Sequence, residues 1–398
     1  MTTTAPVPVS APRSMRYGGL IVIMLLSFLL VTAEFLPNGV LTEMALSLGI
    51  TPGQAGQTVT VTALGGLLVA PTVGLLLPRL DRRSLLFWAA AAATVSNVVV
   101  ALAPSLIAIL IARFLLGAAI SAFWAMSITV AARLASPDRI GRAVMFGSAG
   151  VSLATVAGVP IGVALSEVLD WRVTFLLVGV ATALVGVAVR LVLPPVPAAT
   201  ASSLRILADT LRRPGVAGGM VGHVLVVFGH FLAYTYVRLS LERIPDVDGG
   251  TIVLMLALFG VGGFVGNFVI GVVVDRAFAR LAVIGPLVIA LAVGVVVALP
   301  STIAAVSVAI VVWGFFFSSW LIIVNTWVGH RMPDRLEAGG SLVVTGFQLA
   351  IMIAAGVGGV LVDAASVVTV DLIGIGLLVI GAVLFGTSLR GARASRPS

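Results

Sequence analysis

Residues 17–41 read YGGLIVIMLLSFLLVTAEFLPNGVL. This run is long enough to cross a bilayer as one helix, which takes about 20 mostly apolar residues. It contains one charged side chain, Glu34. A charge at the centre of a bilayer is disfavoured by about 2.5 to 3.5 kcal/mol on insertion scales, so a carboxylate kept there needs a use.

The whole chain has the same character. Its 398 residues are 60% hydrophobic and 10% charged, with a mean hydropathy of +1.21, against about 25% charged in soluble domains. An integral membrane protein is the class this fits. Scanning by length gives twelve candidate spans, at roughly 17–41, 54–78, 84–103, 105–128, 141–166, 172–193, 215–239, 250–274, 281–299, 302–328, 338–362 and 367–389. Barrel strands would be about half as long and alternate in polarity. These runs do not alternate, so the expected fold is an all-α polytopic bundle.

The net charge of +8 comes entirely from arginine among the basic residues. Nineteen arginines fall in or at the borders of the N-terminal tail, the even-to-odd loops and the C-terminal tail, three in or at the borders of the opposite loops, and Arg113 deep inside a span. That asymmetry is the positive-inside bias, and it predicts cytoplasmic termini, attraction to anionic lipid head groups, and no nucleic-acid partner. Without cysteine, disulfides and thiolate metal sites are excluded. The first span lacks a small-residue cleavage site and is read as a retained helix.

Near the middle, LPPVPAATASS at 193–203 interrupts the hydrophobic pattern and reads as a linker. The expected organisation is a cytoplasmic tail at 1–16, a six-helix bundle at 17–193, a cytoplasmic linker at 194–214, a second six-helix bundle at 215–389 and a tail at 390–398. An offset of 197 places Gly65, Gly66, Gly74 and Gly117 on Gly262, Gly263, Gly271 and Gly314; an offset of 196 places Pro137, Asp138, Arg139 and Gly150 on Pro333, Asp334, Arg335 and Gly346. Secondary transporters are commonly built by such duplication, with the solute site near the midplane between repeats. The 196 offset also sets Glu34-Phe35-Leu36 on His230-Phe231-Leu232. Two groups able to exchange protons then occupy equivalent places in the two halves.

Together these features resemble the major facilitator superfamily, in its twelve-helix proton-antiporter group. AEFLP (33–37), GQTVTVTA (56–63), LDRR (80–83), SAFWAMS (121–127), RRPGVAGGM (212–220) and AGGSLVVTGFQLA (338–350) are similar to the branch of purine ribonucleoside efflux and arabinose-efflux type permeases. The resemblance implies two pseudo-symmetric six-helix bundles around a central cavity, working by alternating access. The family's gate loop, Gly-x-x-x-Asp-Arg-x-Gly-Arg-Arg, is matched by GLLLPRLDRR at Gly74, Arg79, Arg82 and Arg83, with Pro78 and Asp81 departing from it; GVVVDRAFAR repeats it with Asp275, Arg276 and Arg280. These residues are expected to gate the cytoplasmic side or, alternatively, only to set topology. RFLLG at 113–117 matches a fourth-helix motif whose arginine the family uses in proton coupling or substrate binding; the other reading of Arg113 is a structural one, bonded to backbone carbonyls. AGVPIG at 157–162 resembles the antiporter motif of the fifth helix, with Val159 separating Gly158 from Pro160; a packing seam is the other reading.

On this footing Glu34 is expected to carry a proton, or else to serve as a structural partner of Arg113. His230 is expected to share or relay that proton, or to be a neutral hydrogen-bonding group. Tyr234 follows His230 by one helical turn and His223 precedes it by two, so this face is expected to line the cavity, with Tyr234 contacting the solute. Arg113, Gly117 and Ser121 share a face, with Trp124 a turn further and expected to contact the solute. Trp313, Phe317 and Trp320 form a stripe suited to stacking on a flat solute, or to packing. The amides Gln57, Asn97, Asn267, Asn325 and Gln348 are costly in a membrane unless paired, and some are expected to read the solute. A chain without lysine has no P-loop, the three histidines are not spaced as a metal set, and no enzyme or cofactor is expected. The expected function is proton-coupled export of small organic solutes, nucleoside, sugar or drug-like, by a monomer in the bacterial inner membrane. Uptake by proton symport and a non-transporting sensor or scaffold are the alternatives.

Overall fold

The computed structural model describes residues 15–70, 72, 80–135, 140–196 and 204–390. Helix α1 (Tyr17–Gly39) is followed by the short α2 (Leu41–Leu48), which ends on the left-handed Gly49, φ 64°. Helix α3 (Pro52–Val69) opens on a capping box between Thr51 and Gln54, which satisfies backbone N–H groups a helix start leaves unpaired. Asp81 caps α4 (Arg82–Leu102) through Ser84 N, and α5 (Leu106–Arg133) follows. The fifth span is α6 (Ile140–Leu153), a wide π turn at Ala154–Gly158, and α7 (Val159–Val168). Helix α8 (Trp171–Val192) completes the first half. The expected linker carries α9 (Leu204–Leu211), and the second half comprises α10 (Val216–Thr235), α11 (Val237–Leu241), α12 (Gly249–Ala298), α13 (Ile303–Ser318), α14 (Trp320–Arg331), α15 (Leu336–Ala364) and α16 (Val367–Arg390).

Among the described residues the chain is helical without strands, and eleven segments are long and apolar enough to span. The remaining expected span, 54–78, is represented by α3; residues 71 and 73–79 lie outside the described residues.

Two expected spans, 250–274 and 281–299, share one helical run, α12. A straight helix of 50 residues would be about 75 Å long. Yet Arg243, just before the run, donates to Val297 O near its end at 3.2 Å, and Gly271 and Gly285 face neighbouring residues Ile322 and Ile323. The run is therefore a hairpin. Sequence reading expects a loop there; between Gly271 and Gly285 no glycine or proline stands to end the helical pattern.

The repeat is visible in how the spans touch. Gly65 packs against Phe114 O and Gly117 against Thr62 O, while Gly262 packs against Val311 O and Gly314 against Phe259 O. All four pairs obey the same offset of 197. A Cβ on any of these glycines would collide with the carbonyl opposite, so the second and fourth spans, and the eighth and tenth, approach at backbone distance.

The termini mark one end of the bundle. There Arg16 N bonds Leu134 O at 2.9 Å, and Val196 N donates to Asp81 Oδ2 at 2.6 Å. Hydrogen bonds joining the halves gather at the opposite end. Arg238 donates to Glu43 at 2.5 Å and to Gly39 O at 2.8 Å, Thr42 donates to Glu242 at 2.8 Å, and Asp363 accepts from Thr51 at 2.5 Å and from Gly53 N at 2.9 Å.

Candidate functional site

The site begins with a gap in α1. Pro37 lies inside this helix and has no N–H, so the carbonyl four residues earlier, Ala33 O, loses its helical partner. Arg113 of α5 fills the vacancy: its Nη1 donates to Ala33 O at 2.7 Å and its Nη2 to Glu34 O at 2.8 Å. The guanidinium is fully buried, and its Nε has no partner. Glu34 is buried at 7% exposure, with Arg113 as its charged neighbour. The arginine thus spends its directed bonds on the backbone of the first span rather than on the carboxylate. Its positive charge nevertheless balances the acid across the same helix contact.

Next to Glu34, Phe35 reaches across to the second half. Its ring stacks on Phe231, centroids 5.8 Å apart, and meets Tyr234 edge-on at 6.1 Å. His230 is enclosed in an aromatic group: Phe317 and Tyr234 lie parallel to its ring, Phe231 and Trp313 stand edge-on, and Phe259 of α12 adjoins. Trp313 Nε1 donates to His230 Nδ1 at 2.9 Å. That nitrogen carries no proton in this arrangement, so the imidazole is held as a neutral ring rather than as an imidazolium.

The other expected solute contacts are scattered. Gln348 is 7% exposed, with Nε2 unpartnered and directed at Gly66 of α3, beside Ser121; Ser121 donates to Gly66 O at 3.0 Å. Gln57 bonds Gly356 O across the halves at 3.4 Å, and Asn267 approaches Ser152 at 3.5 Å. Asn97 is buried against Gly179 of α8 and bonds Ala93 O within its own helix. Trp124 is half-buried beside Phe123, and Asn325 is exposed. Trp320 is buried against His223 and Phe385 inside the second half; of the stripe, Phe317 and Trp313 reach His230.

Of the expected gate, Gly74 and Arg79 lie outside the described residues, as does the Asp275 side chain. Arg276 and Arg280 are exposed. Arg82 is buried, and Arg83 donates to Leu193 O at 3.3 Å; with Asp81 on Val196 N, this loop grips the end of its own half's last span. Gly158 and Pro160 flank the end of the π turn, where Gly158 abuts Thr32 of α1.

Sequence reading misses the cluster that ties the halves together. Arg238 on α11 is paired with Glu43 on α2 and with Glu242 at 2.9 Å. Desolvation raises the Glu43 carboxyl above its ordinary 4.5, opposed by Arg238. Two shallow recesses open at this end, away from Glu34: one of about 400 Å³ is lined by Glu43, Ser47, Ser166 and Asp170, and one of about 460 Å³ by Thr51 and Asp363. Neither encloses the aromatic group or the buried acid. Also missed is Asp371, buried in the last span and accepting from Ser240 at 2.7 Å; the rule that singles out Glu34 applies to it equally. At the termini end, Arg213 grips Asp334 through two bonds of 2.7 and 2.6 Å. That grip holds the Asp334 carboxyl down at about 2.

Apolar spans, close-packed repeat glycines and a part-buried charge pair joining the halves fit a polytopic membrane transporter. The chain belongs to the Major Facilitator Superfamily, whose family model matches residues 23–338. It is 34% identical to the transcription regulatory protein OpdE of Pseudomonas aeruginosa over 88% of each chain, and 33% identical to the purine ribonucleoside efflux pump NepI of Salmonella paratyphi B over 91% of each. In fold it is similar to a variant of nucleoside transporter NupG, with a TM-score of 0.77 at 13% identity over 93% of this chain and 98% of that one. It is also similar to a bacterial homolog of the human lysosomal transporter Spinster in an inward-facing, occupied conformation, with a TM-score of 0.74 at 17% identity over 97% and 99%.

Proposed function

We propose that this transporter exports small organic solutes in exchange for protons, with Glu34 carrying the proton. The observation behind it is a buried carboxyl whose charged neighbour, Arg113, is already engaged with the first span's backbone. Such an acid can gain or lose a proton without pulling apart the helix contact that holds it. Protonation removes its charge penalty, and a cavity that alternates sides converts that change into exchange.

The asymmetry of the arginines supports cytoplasmic termini, and on that reading in a bacterial inner membrane the Arg238 latch faces outward. The bonds of Arg238 with Glu43 and Glu242 support a state closed to the outside on this reading. Outward opening breaks these bonds while the halves rock about the contact of Phe35 with Phe231. Export and a nucleoside-like solute find support in the similarity to NepI pumps. A second reading, a membrane regulator that retains the fold, draws on the name given to OpdE.

Reconstituted protein loaded with a panel of nucleosides, sugars and amphiphilic drugs, with a pH gradient imposed, tests both. Pumping of at least one solute that collapses in Glu34→Gln, while solute exchange survives, is the expected result. Full gradient-driven pumping by Glu34→Gln would overturn the coupling role, and no flux of any solute would favour the regulator.

A further inference from the structure

Helix α10 carries His223 and His230 seven residues apart, and the α13–α14 run carries Trp313 and Trp320 at the same spacing in the opposite direction. Trp313 Nε1 donates to His230 Nδ1 at 2.9 Å and Trp320 Nε1 to His223 Nδ1 at 3.1 Å. An indole N–H can only donate. Each Nδ1 must therefore offer a lone pair, and each neutral imidazole keeps its proton on Nε2. His223 uses that proton on Val343 O of α15 at 3.2 Å. His230 Nε2 has no partner among the described residues.

The rest of the His230 surroundings sharpens the point. Phe231 and Tyr234 from its own helix, Phe259 from α12, and Trp313 and Phe317 from α13 pack on it. Tyr234 is the one titratable group among them, and none is charged at neutral pH. An imidazolium donates from both nitrogens, so it would set N–H against N–H at Trp313. Nothing in this aromatic group compensates such a clash.

We propose that Trp313 is a positioning residue that fixes His230 as a one-proton hydrogen-bond donor, and that His230 Nε2–H reads an acceptor atom on the transported solute, a ring nitrogen or a carbonyl or hydroxyl oxygen. Trp320 with His223 is the second rung, setting the register of α10 against the tenth span. The proposal rests on the transport reading. It gives His230 a part in choosing the solute and none in moving the proton.

Two measurements test it. The first needs no transport: the chain has three histidines, so ¹⁵N-histidine NMR of detergent-purified protein, assigned with His330→Asn and His223→Asn, reads each tautomer directly. Nε2–H at both His223 and His230 is expected at the assay pH, with the His230 signal changed by Trp313→Phe. Nδ1–H or imidazolium at His230 overturns the assignment, whether or not the protein pumps. The second is flux. His230→Ala is expected to raise the solute KM about tenfold, the loss of one buried hydrogen bond. His230→Gln, whose amide N–H can stand near Nε2 but cannot carry a proton, is expected to raise it less. In both, pH-gradient drive persists. Loss of gradient drive in His230→Gln with exchange intact would make His230 a relay and end the proposal. The transport reading fails separately, through Glu34→Gln or the absence of any flux.

Discussion

Phe35 and Phe231 stack with ring centroids 5.8 Å apart and planes 20° apart, and they occupy the same position in the two repeats. A residue that touches its own repeat mate lies on the axis relating the halves. On the proposed alternating-access reading, this contact lies at the seam along which the two halves rock. Phe231→Ala, whose ring is buried among Tyr234, Phe317 and Phe347, is expected to lower thermal stability in detergent more than Phe35→Ala, whose ring is half-buried. Their double substitution should cost less than the sum by about 0.5 to 1.5 kcal/mol, the coupling of an aromatic pair. Additive losses would show the rings to be uncoupled.

Pro37 and Arg113 should behave as a compensating pair. Arg113→Ala leaves Ala33 O buried without a donor, a cost of about 1 to 3 kcal/mol. Pro37→Ala restores an N–H aimed at the same carbonyl. The double variant should therefore be more stable than Arg113→Ala alone, although neither single change adds stability by itself. Thermal unfolding of the four proteins measures this; a double variant no better than Arg113→Ala would mean that the arginine is retained for its charge.

The spans and the duplication are legible because both are written in local pattern: apolar length, and glycines spaced to match. Contacts that depend on which helix arrives opposite are not. Pro37 announces an orphaned carbonyl in the sequence, but nothing local says that Arg113, a residue of α5, supplies the donor. Glu43 stands just beyond the expected span 17–41 and Arg238 at the edge of 215–239, so both look like loop charges, and nothing local says that α2 and α11 bring them together. The reversal within α12 is hidden for want of a glycine or proline between 271 and 285. Pro160 marks a missing helical N–H in the fifth span, a place where a helix can widen or kink, but nothing local says that the π turn before it meets α1 at Gly158.

The latch carries a pH dependence whose sign is opposite to that of a simple salt bridge. Desolvation raises the Glu43 carboxyl above 4.5, outweighing Arg238. The closed latch thus holds a proton more tightly than an open, solvated one, and protons favour closure. Closure gains as pH falls from neutral through the raised value, and the gain is complete below 4.5. Since the chain has no cysteine, spin labels at Leu46→Cys and Leu299→Cys, both exposed at this end, report the opening. Acid should increase the short-distance population, and Glu43→Gln should flatten that response. Arg238→Ala should enlarge the long-distance population at every pH. Acid-induced opening in the parent protein would reverse the argument.

Gly260 of α12 meets the π turn at Thr155 O and Val156, and a Cβ there would overlap the backbone. Backbone cannot yield as a flexible side chain does, so Gly260→Ala must push the two halves apart along this seam. Overpacking of this kind costs about 1 to 3 kcal/mol, about a 5- to 160-fold shift between states where the proposed outward opening relieves this contact. The same pair of labels should show Gly260→Ala moving the population toward long distances, with solute exchange slowed because return to the closed state is disfavoured. Gly376→Ala is the control: nothing stands within 4 Å of its added methyl, so both distances and flux should match the parent. Unchanged distances in Gly260→Ala would mean that the seam between the fifth and eighth spans persists through the transport cycle, leaving the ends of the bundle to do the opening.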